Sequence, residues 1–413
     1  MRTEKTTALK PSSSIRIRMY RVGFGDCFLV SFPVDGASQH MLVDCGVHAR
    51  GDIGTMDRVL ADIATETGGK LAIVVATHAH QDHISGFGRG KDIFKGFSEV
   101  GQIWMPWTEN PEDDQASTLR RKRLALAMQL EQHFRLAANS SPQALAAVMN
   151  IADNQSSLDF LHSGFDGKAK VQYLQAGSKV ERVPIAGLSV KVLGPPRDQE
   201  FLSKMDPPPA QRYLRLGNKG EGASENVTKP FGDKWVLLRD SELLAQLRLD
   251  EASEKQLRKQ LSDPSLEALA FAIDQVLNNT SVVMLLTFSG LSLLFPGDAQ
   301  YGNWLSWLQQ EGSDELLESV RFYKVSHHGS FNATPRRAVE MMHEFAAMAS
   351  TQNVPWASIP RIPLMKALTQ QAKNKVVRSD SLHVKNAPKG PVVARLPENF
   401  TKGDFWYDYF MPV

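Results

Sequence analysis

With 47 lysines and arginines against 45 aspartates and glutamates in 413 residues, the chain has no overall field that would gather nucleic acid by charge, although a local basic groove stays open. Its two cysteines, Cys27 and Cys45, sit in apolar strand-like runs, which excludes a secreted disulfide framework and reads as buried reduced thiols. No apolar stretch reaches membrane-span length and residues 1–14 lack a signal-peptide core, so a soluble, cytoplasmic protein with a short disordered lead-in is expected.

Residues 15–413 read as one domain with two insertions. Residues 15–22 alternate apolar and basic and predict a strand; 28–32 and 41–43 continue the meander around a loop at 33–39. Residues 57–67 predict a helix stopped by Gly68 and Gly69, and the β-branched run 71–76 predicts a buried strand. Residues 103–107 form another strand end. A helical insert at 110–165 follows, with helices expected over 117–138 and 142–161. Residues 180–194 predict two strand-like runs.

The second insert, 197–276, opens with a long loop or flap at 197–232 around Pro207-Pro208-Pro209 and continues with helices at 241–261 and 264–277. Charged pairs there, such as Arg258-Lys259, read as a solvated face. This insert is where substrate selection or a protein partner is expected. Beyond it, 281–288 and 291–295 predict a hairpin, Trp304 and Trp307 lie on a helix, 321–325 is a strand, 334–349 a helix, and 392–394 and 405–407 strands.

The chemistry concentrates in Thr77-His78-Ala79-His80-Gln81-Asp82-His83, where three of the 11 histidines and a carboxylate follow a buried strand. Imidazole and carboxylate are the ligands that zinc and similar ions take. His78 and His80 are two apart, so an extended backbone points both to one side. Asp82 and His83 lie past the turn and reach a second point nearby, so the four can seed two metals. His133 and His162 have no strand-end context and read as surface or helix-packing histidines.

This pattern resembles that of the metallo-β-lactamase superfamily. Asp44 at the end of 41–46 looks like the family's first motif, Asp298 after 291–297 like its fourth, and His327-His328-Gly329-Ser330 like its last. The hairpin 22–30, Asn278-Asn279-Thr280-Ser281 and Lys324-Val325-Ser326-His327-His328 are similar to ComEC-type DNA-uptake hydrolase domains. The third-motif histidine of many members has no counterpart, since no histidine lies between His162 and His327. The membrane spans of ComEC-type chains are missing too.

The resemblance implies an α/β, four-layer αββα sandwich and two divalent ions, Zn²⁺ or Mn²⁺, and the missing third-motif histidine leaves one site poorer in nitrogen ligands, which would weaken zinc, favour manganese or leave a single metal. It implies a metal-bound hydroxide as attacking group. His78 and His80 would bind one metal, Asp82 and His83 the other. Asp298 would bridge them and His327 would complete a sphere. Asp82 and His328 are the expected catalytic groups, with His327 and His328 interchangeable in order. Asp44 is expected to orient a ligand histidine, and Asn279, Ser330 and Asn332 to act near metal or substrate. The expected substrate is a phosphodiester such as DNA or RNA. A hydrolase of another small ester or cyclic nucleotide, a degenerate scaffold and a partner-regulated defence component are the alternatives.

Overall fold

The computed structural model describes residues 13–50, 54–136, 142–152, 154–213, 266–352, 356, 358–380 and 396–413. The predicted helix at 241–261, the strand at 392–394, nearly all of the lead-in and much of the flap lie outside these residues.

Two sheets stack face to face. The first has eight strands: β1 (Ser14–Tyr20), β3 (Cys27–Val34), β4 (Ala37–Cys45), β6 (Lys70–Val75), β7 (Glu99–Pro106), β8 (Lys170–Leu174), β15 (Phe400–Lys402) and β16 (Trp406–Pro412). They run in the order β15-β16-β1-β3-β4-β6-β7-β8, with β4 to β8 parallel. The second has six: β9 (Leu188–Gly194), β10 (Val283–Phe288), β11 (Leu291–Phe295), β12 (Val320–Lys324), β13 (Ala346–Ala349) and β14 (Val376–Arg378), with β11 to β14 parallel. A two-stranded ribbon, β2 (Gly23–Phe24) and β5 (Ala49–Arg50), stands apart.

Period-two alternation builds the layers. Ile15, Ile17 and Met19 of β1 and Ile73 and Val75 of β6 meet Met284, Leu286, Leu293 and Phe322 between the sheets. Tyr20, Leu42 and Val74 face the other way, onto α1 (Met56–Thr67) and α2 (Gln81–Arg89). On the far side, Leu285, Leu294 and Tyr323 pack under Trp304 and Trp307 of α10 (Tyr301–Leu308) and Leu364 of α13 (Ile362–Gln371). Helix, sheet, sheet, helix is the expected four-layer sandwich. Helix α1 obeys its sequence signals: Thr55 caps its start and Gly68, at φ 58°, its end.

The inserts pack together. Helices α4 (Asp114–Leu136) and α5 (Pro142–Ala152) meet α9 (Leu266–Asn278) through Leu130, Val148, Leu269 and Ile273. The remaining helices are α3 (Lys91–Lys95), α6 (Gln155–His162), α7 (Gly164–Gly167), α8 (Gln199–Ser203), α11 (Ser313–Ser319) and α12 (Arg336–Met341).

Two expectations are corrected. Residues 334–349 are not one helix: α12 ends at Met341, and Ala346–Ala349 is the fully buried strand β13. A parallel strand covered on both faces has no alternation to betray it, and alanine favours helix. Within 180–194 only Leu188–Gly194 is a strand; Val180 and Val183 are loop residues packed against the inter-sheet core. No helix among the described residues is long and apolar enough to cross a membrane.

Candidate metal centre

Polar side chains gather where parallel strands of both sheets end, the usual ligand side of such sheets. Asp44 stands at the end of β4, and Thr77 to His83 follow β6. Asp298 follows β11, His327 and His328 follow β12, and Ser350 follows β13. Asp44, His327 and His328 have φ of 57°, 44° and 53°, a left-handed conformation that costs a non-glycine residue about 1–3 kcal/mol. Gly46 lies so close to the first turn of α2 that a Cβ would come within 2.4 Å of the His83 nitrogen. Only glycine lets the end of β4 press on the segment that carries Asp82 and His83.

Asp82, His83, Asp298 and His328 are buried and converge, with ligand atoms within 4.8 Å of one another. The Asp298 Oδ2 lies 3.0 Å from His83 Nε2 and 3.1 Å from His328 Nε2. Asp82 Oδ2 lies 3.1 Å from His328 Nε2. Behind these atoms each imidazole is held: His83 Nδ1 is 2.8 Å from Asp44 Oδ2, and His328 Nδ1 is 2.9 Å from the Ser350 carbonyl. Asp44 is itself fixed by the Thr77 amide and hydroxyl, both at 2.7 Å. A proton on each Nδ1 leaves each Nε2 free to coordinate.

A second donor group adjoins the first. His78 Nε2 and His80 Nδ1 approach to 2.9 Å, and the His78 ring lies 4.2 Å from that of His83. His80 Nε2 lies 3.2 Å from Asp274 Oδ1 on α9. His327 sits at the rim, its Nε2 3.4 Å from Asn278.

Charge distribution shows what the cluster can hold. Burial pushes His78 well below the ordinary imidazole value, His80 to about 3 and His327 to about 4, so all three keep free lone pairs. Burial also opposes charge on His328, yet Asp298, Asp82 and Asp26 push it up to about 10. His83 is raised in the same way against burial by Asp298, Asp44 and Asp82. Burial would raise Asp82 and Asp298, but the charged imidazoles around them hold both well below the carboxylate range. Protons on His83 and His328 thus balance the carboxylates where a divalent cation would do so.

Asp82 Oδ1, His327 Nδ1 and Asn278 Oδ1 are buried with no hydrogen-bond partner. Orphaned polar atoms around an all nitrogen and oxygen donor set fit zinc, manganese or a similar ion.

These shifts set a pH dependence for chelator-treated protein. His80 and His327, depressed from 6.5 to about 3 and about 4, make the unfolded chain bind more protons, so stability falls as pH drops below about 6.5. His328, raised from 6.5 to about 10, contributes fully below about 6.5 and loses that contribution as pH rises through about 10. The melting temperature is expected to peak near pH 6–7. A flat profile between about pH 5 and pH 9 would contradict this.

The structure redistributes some expected roles. His328, not His327, joins Asp82, His83 and Asp298, because the turn after β12 points His328 inward under Phe24, 4.2 Å ring to ring. Asn279 does not face the site: its amide donates to the carbonyls of Leu202 and Lys204 and its Oδ1 accepts from the amides of Gln300 and Asn303. Asn278 takes that place. Ser330 and Asn332 line the cavity and bond to each other at 3.0 Å. His162 bonds Tyr173, away from the cluster.

Four participants were not singled out from sequence. Asp26, in the turn after β2, and Lys324, the last residue of β12, are buried ion partners beside the cluster. Asp274 and Asn150 come from the two inserts and wall a cavity of about 180 Å³. The Gly25-Asp26 turn within the resembling hairpin was the one available signal for Asp26.

No curated protein matches the chain. Among solved structures, the metallo-beta-lactamase fold protein YhfI from Bacillus subtilis is similar at 11% identity and a TM-score of 0.36, over 88% of this chain and 96% of that one. Residues 20–137 match the model of the metallo-beta-lactamase superfamily, the stretch that carries Asp26, Asp44 and the whole run from His78 to His83.

Proposed function

We propose that the protein is a metal-dependent hydrolase acting on phosphodiesters, akin to the ComEC-like domains whose motifs it resembles. One observation carries the reading: Asp82, His83, Asp298 and His328 converge beside His78 and His80, and the cluster opens onto a cavity through His80, Asp82, Asp298 and His327. His78 and His80 would hold one divalent ion; Asp82, His83 and His328 would hold another, with Asp298 shared.

When bound, such ions supply positive charge that polarises a phosphoryl oxygen and lowers the pKa of water. The chain's own groups do the rest. Asp44 and the Ser350 carbonyl keep His83 and His328 in the tautomers that present Nε2. Lys324 offsets the second oxygen of Asp298, 3.0 Å away. His327, neutral and facing the cavity, is placed to accept a proton and return it to the leaving oxygen. In the net reaction a water oxygen bonds to phosphorus and the P–O bond to the leaving alcohol breaks. One proton ends on that alcohol.

The test is a substrate panel with Mn²⁺ or Zn²⁺: bis-p-nitrophenyl phosphate, single-stranded DNA, plasmid, RNA and p-nitrophenyl acetate. Cleavage of the phosphodiesters, lost in both Asp82→Ala and His83→Ala, is expected. Cleavage of the acetate alone would move the reading to carboxylic esters. Full metal loading with no turnover of any substrate would defeat it.

A further inference from the structure

We propose that Arg361 is the anion anchor of the cavity, receiving a phosphoryl oxygen of the substrate while Phe24, Phe331 and Trp356 form a wall for the nucleobase beside it. The proposal rests on the hydrolase reading and names its substrate class: a phosphodiester with a nucleobase next to the scissile group.

Arg361 lines the same cavity as His80, Asp82 and Asp298. Its Nε is buried and has no hydrogen-bond partner. Every other buried or half-buried arginine whose side chain is described has an acceptor for its guanidinium, Arg123 through Nη2 although its Nε is unpartnered too. Arg18 pairs with Asp408, Arg123 with Glu109, Arg337 with Asp314 and Arg378 with Asp380. Arg16 pairs with Glu66, Arg212 bonds the Pro207 carbonyl, and Arg21, Arg120 and Arg321 bond carbonyls of Ser379, Thr108 and Glu318. A buried guanidinium N–H left without an acceptor is costly unless a ligand supplies one.

Its backbone is firmly placed. The Arg361 amide donates to the Gly329 carbonyl at 2.8 Å, one residue beyond the His327-His328 pair. Arg361 also caps the start of α13. The planar fork therefore projects from an anchored backbone into the cavity that His80, Asp82 and Asp298 line, and it suits a phosphoryl group, which it can grip through two oxygens.

Phe24, Phe331 and Trp356 line the same cavity. Phe24 and Trp356 lie 4.8 Å apart, and His48 stacks on Trp356 at 5.4 Å and 23°. Phe331 is 39% exposed and lines the cavity, an apolar face open to a ligand. A flat base stacks on such a wall, and the anion beside it reaches Arg361.

The experiment is calorimetric titration of metal-loaded protein with thymidine 5′-monophosphate and with neutral thymidine, for wild type, Arg361→Ala and Arg361→Lys. Arg361→Ala is expected to weaken nucleotide binding by about tenfold or more and to leave thymidine binding and metal content unchanged, with Arg361→Lys in between. Equal binding in wild type and Arg361→Ala, an equal loss for thymidine, or no nucleotide binding by wild type would each overturn the proposal. Binding is read without turnover. Arg361-dependent binding with no hydrolysis would refute the hydrolase reading alone, and turnover indifferent to Arg361→Ala would refute the anchor alone.

Discussion

Asp298→Ala is expected to cost the protein at least half its bound metal and more than about a hundredfold in phosphodiester turnover, beyond what the loss of a partner outside the ligand set costs. One oxygen of Asp298 lies within about 3 Å of both His83 Nε2 and His328 Nε2, and the other meets Lys324. Asp26 also meets Lys324, but it approaches His83 and His328 only from their Nδ1 side, at 3.9 and 3.5 Å, so Asp298 is the described carboxylate that meets both Nε2 atoms and the lysine. Its removal leaves the Nε2 atoms of two imidazoles aimed at a gap in which Asp82 is the remaining close anion, since Asp44 and Asp26 lie on their Nδ1 side. Elemental analysis of metal per chain checks the first half, and the substrate that wild type cleaves best checks the second. An Asp298→Ala protein with full metal content would show that the shared carboxylate is not a ligand.

Lys324→Met should act on stability more than on chemistry. The ammonium is buried against Asp26 and 3.0 Å from Asp298, and it donates to the Gly297 carbonyl at 2.8 Å. Burial alone would discharge it, but Asp26 and Asp298 reverse that and hold it above the usual lysine range. A methionine fills similar space and leaves two buried carboxylates without the lysine's charge, with only the imidazoles of His83 and His328 to balance them. Breaking a buried pair in this way costs about 3–5 kcal/mol. Chelator-treated Lys324→Met is therefore expected to unfold at clearly lower guanidinium than chelator-treated wild type. Added Mn²⁺ should narrow the gap, because a divalent ion offers Asp298 a replacement charge. Equal midpoints in chelator would mean that the lysine has no net electrostatic role.

What could be read from the sequence was whatever is local in the chain. His78, His80, Asp82 and His83 sit within six positions after a β-branched run, so strand, turn and ligand set announce one another. Asp298 and the histidine pair were legible because each also follows a short apolar strand. Which of His327 and His328 turns inward was not, since two consecutive left-handed residues decide it. Asn278 and Asn279 could not be told apart for the same reason: the backbone carbonyls of 202 and 204 claim Asn279 from far along the chain. Asp26, Lys324 and Arg361 acquire meaning only when separate strand ends meet. A lone aspartate, lysine or arginine at a strand end or turn carries no mark of that. The helix α9, expected merely as the tail of an insert, delivers Asp274 and Asn278 to the cavity because its apolar face packs on α5.

The two stacked sheets contribute unequal shares of this cluster. Asp82 and His83 belong to the first, Asp298 and His328 to the second, more than two hundred positions later. An ion held by all four would stitch the sandwich across its seam. Neither half alone offers a complete grip, so capture must wait until both have docked, and metal uptake during refolding should report the final assembly step rather than an early collapse.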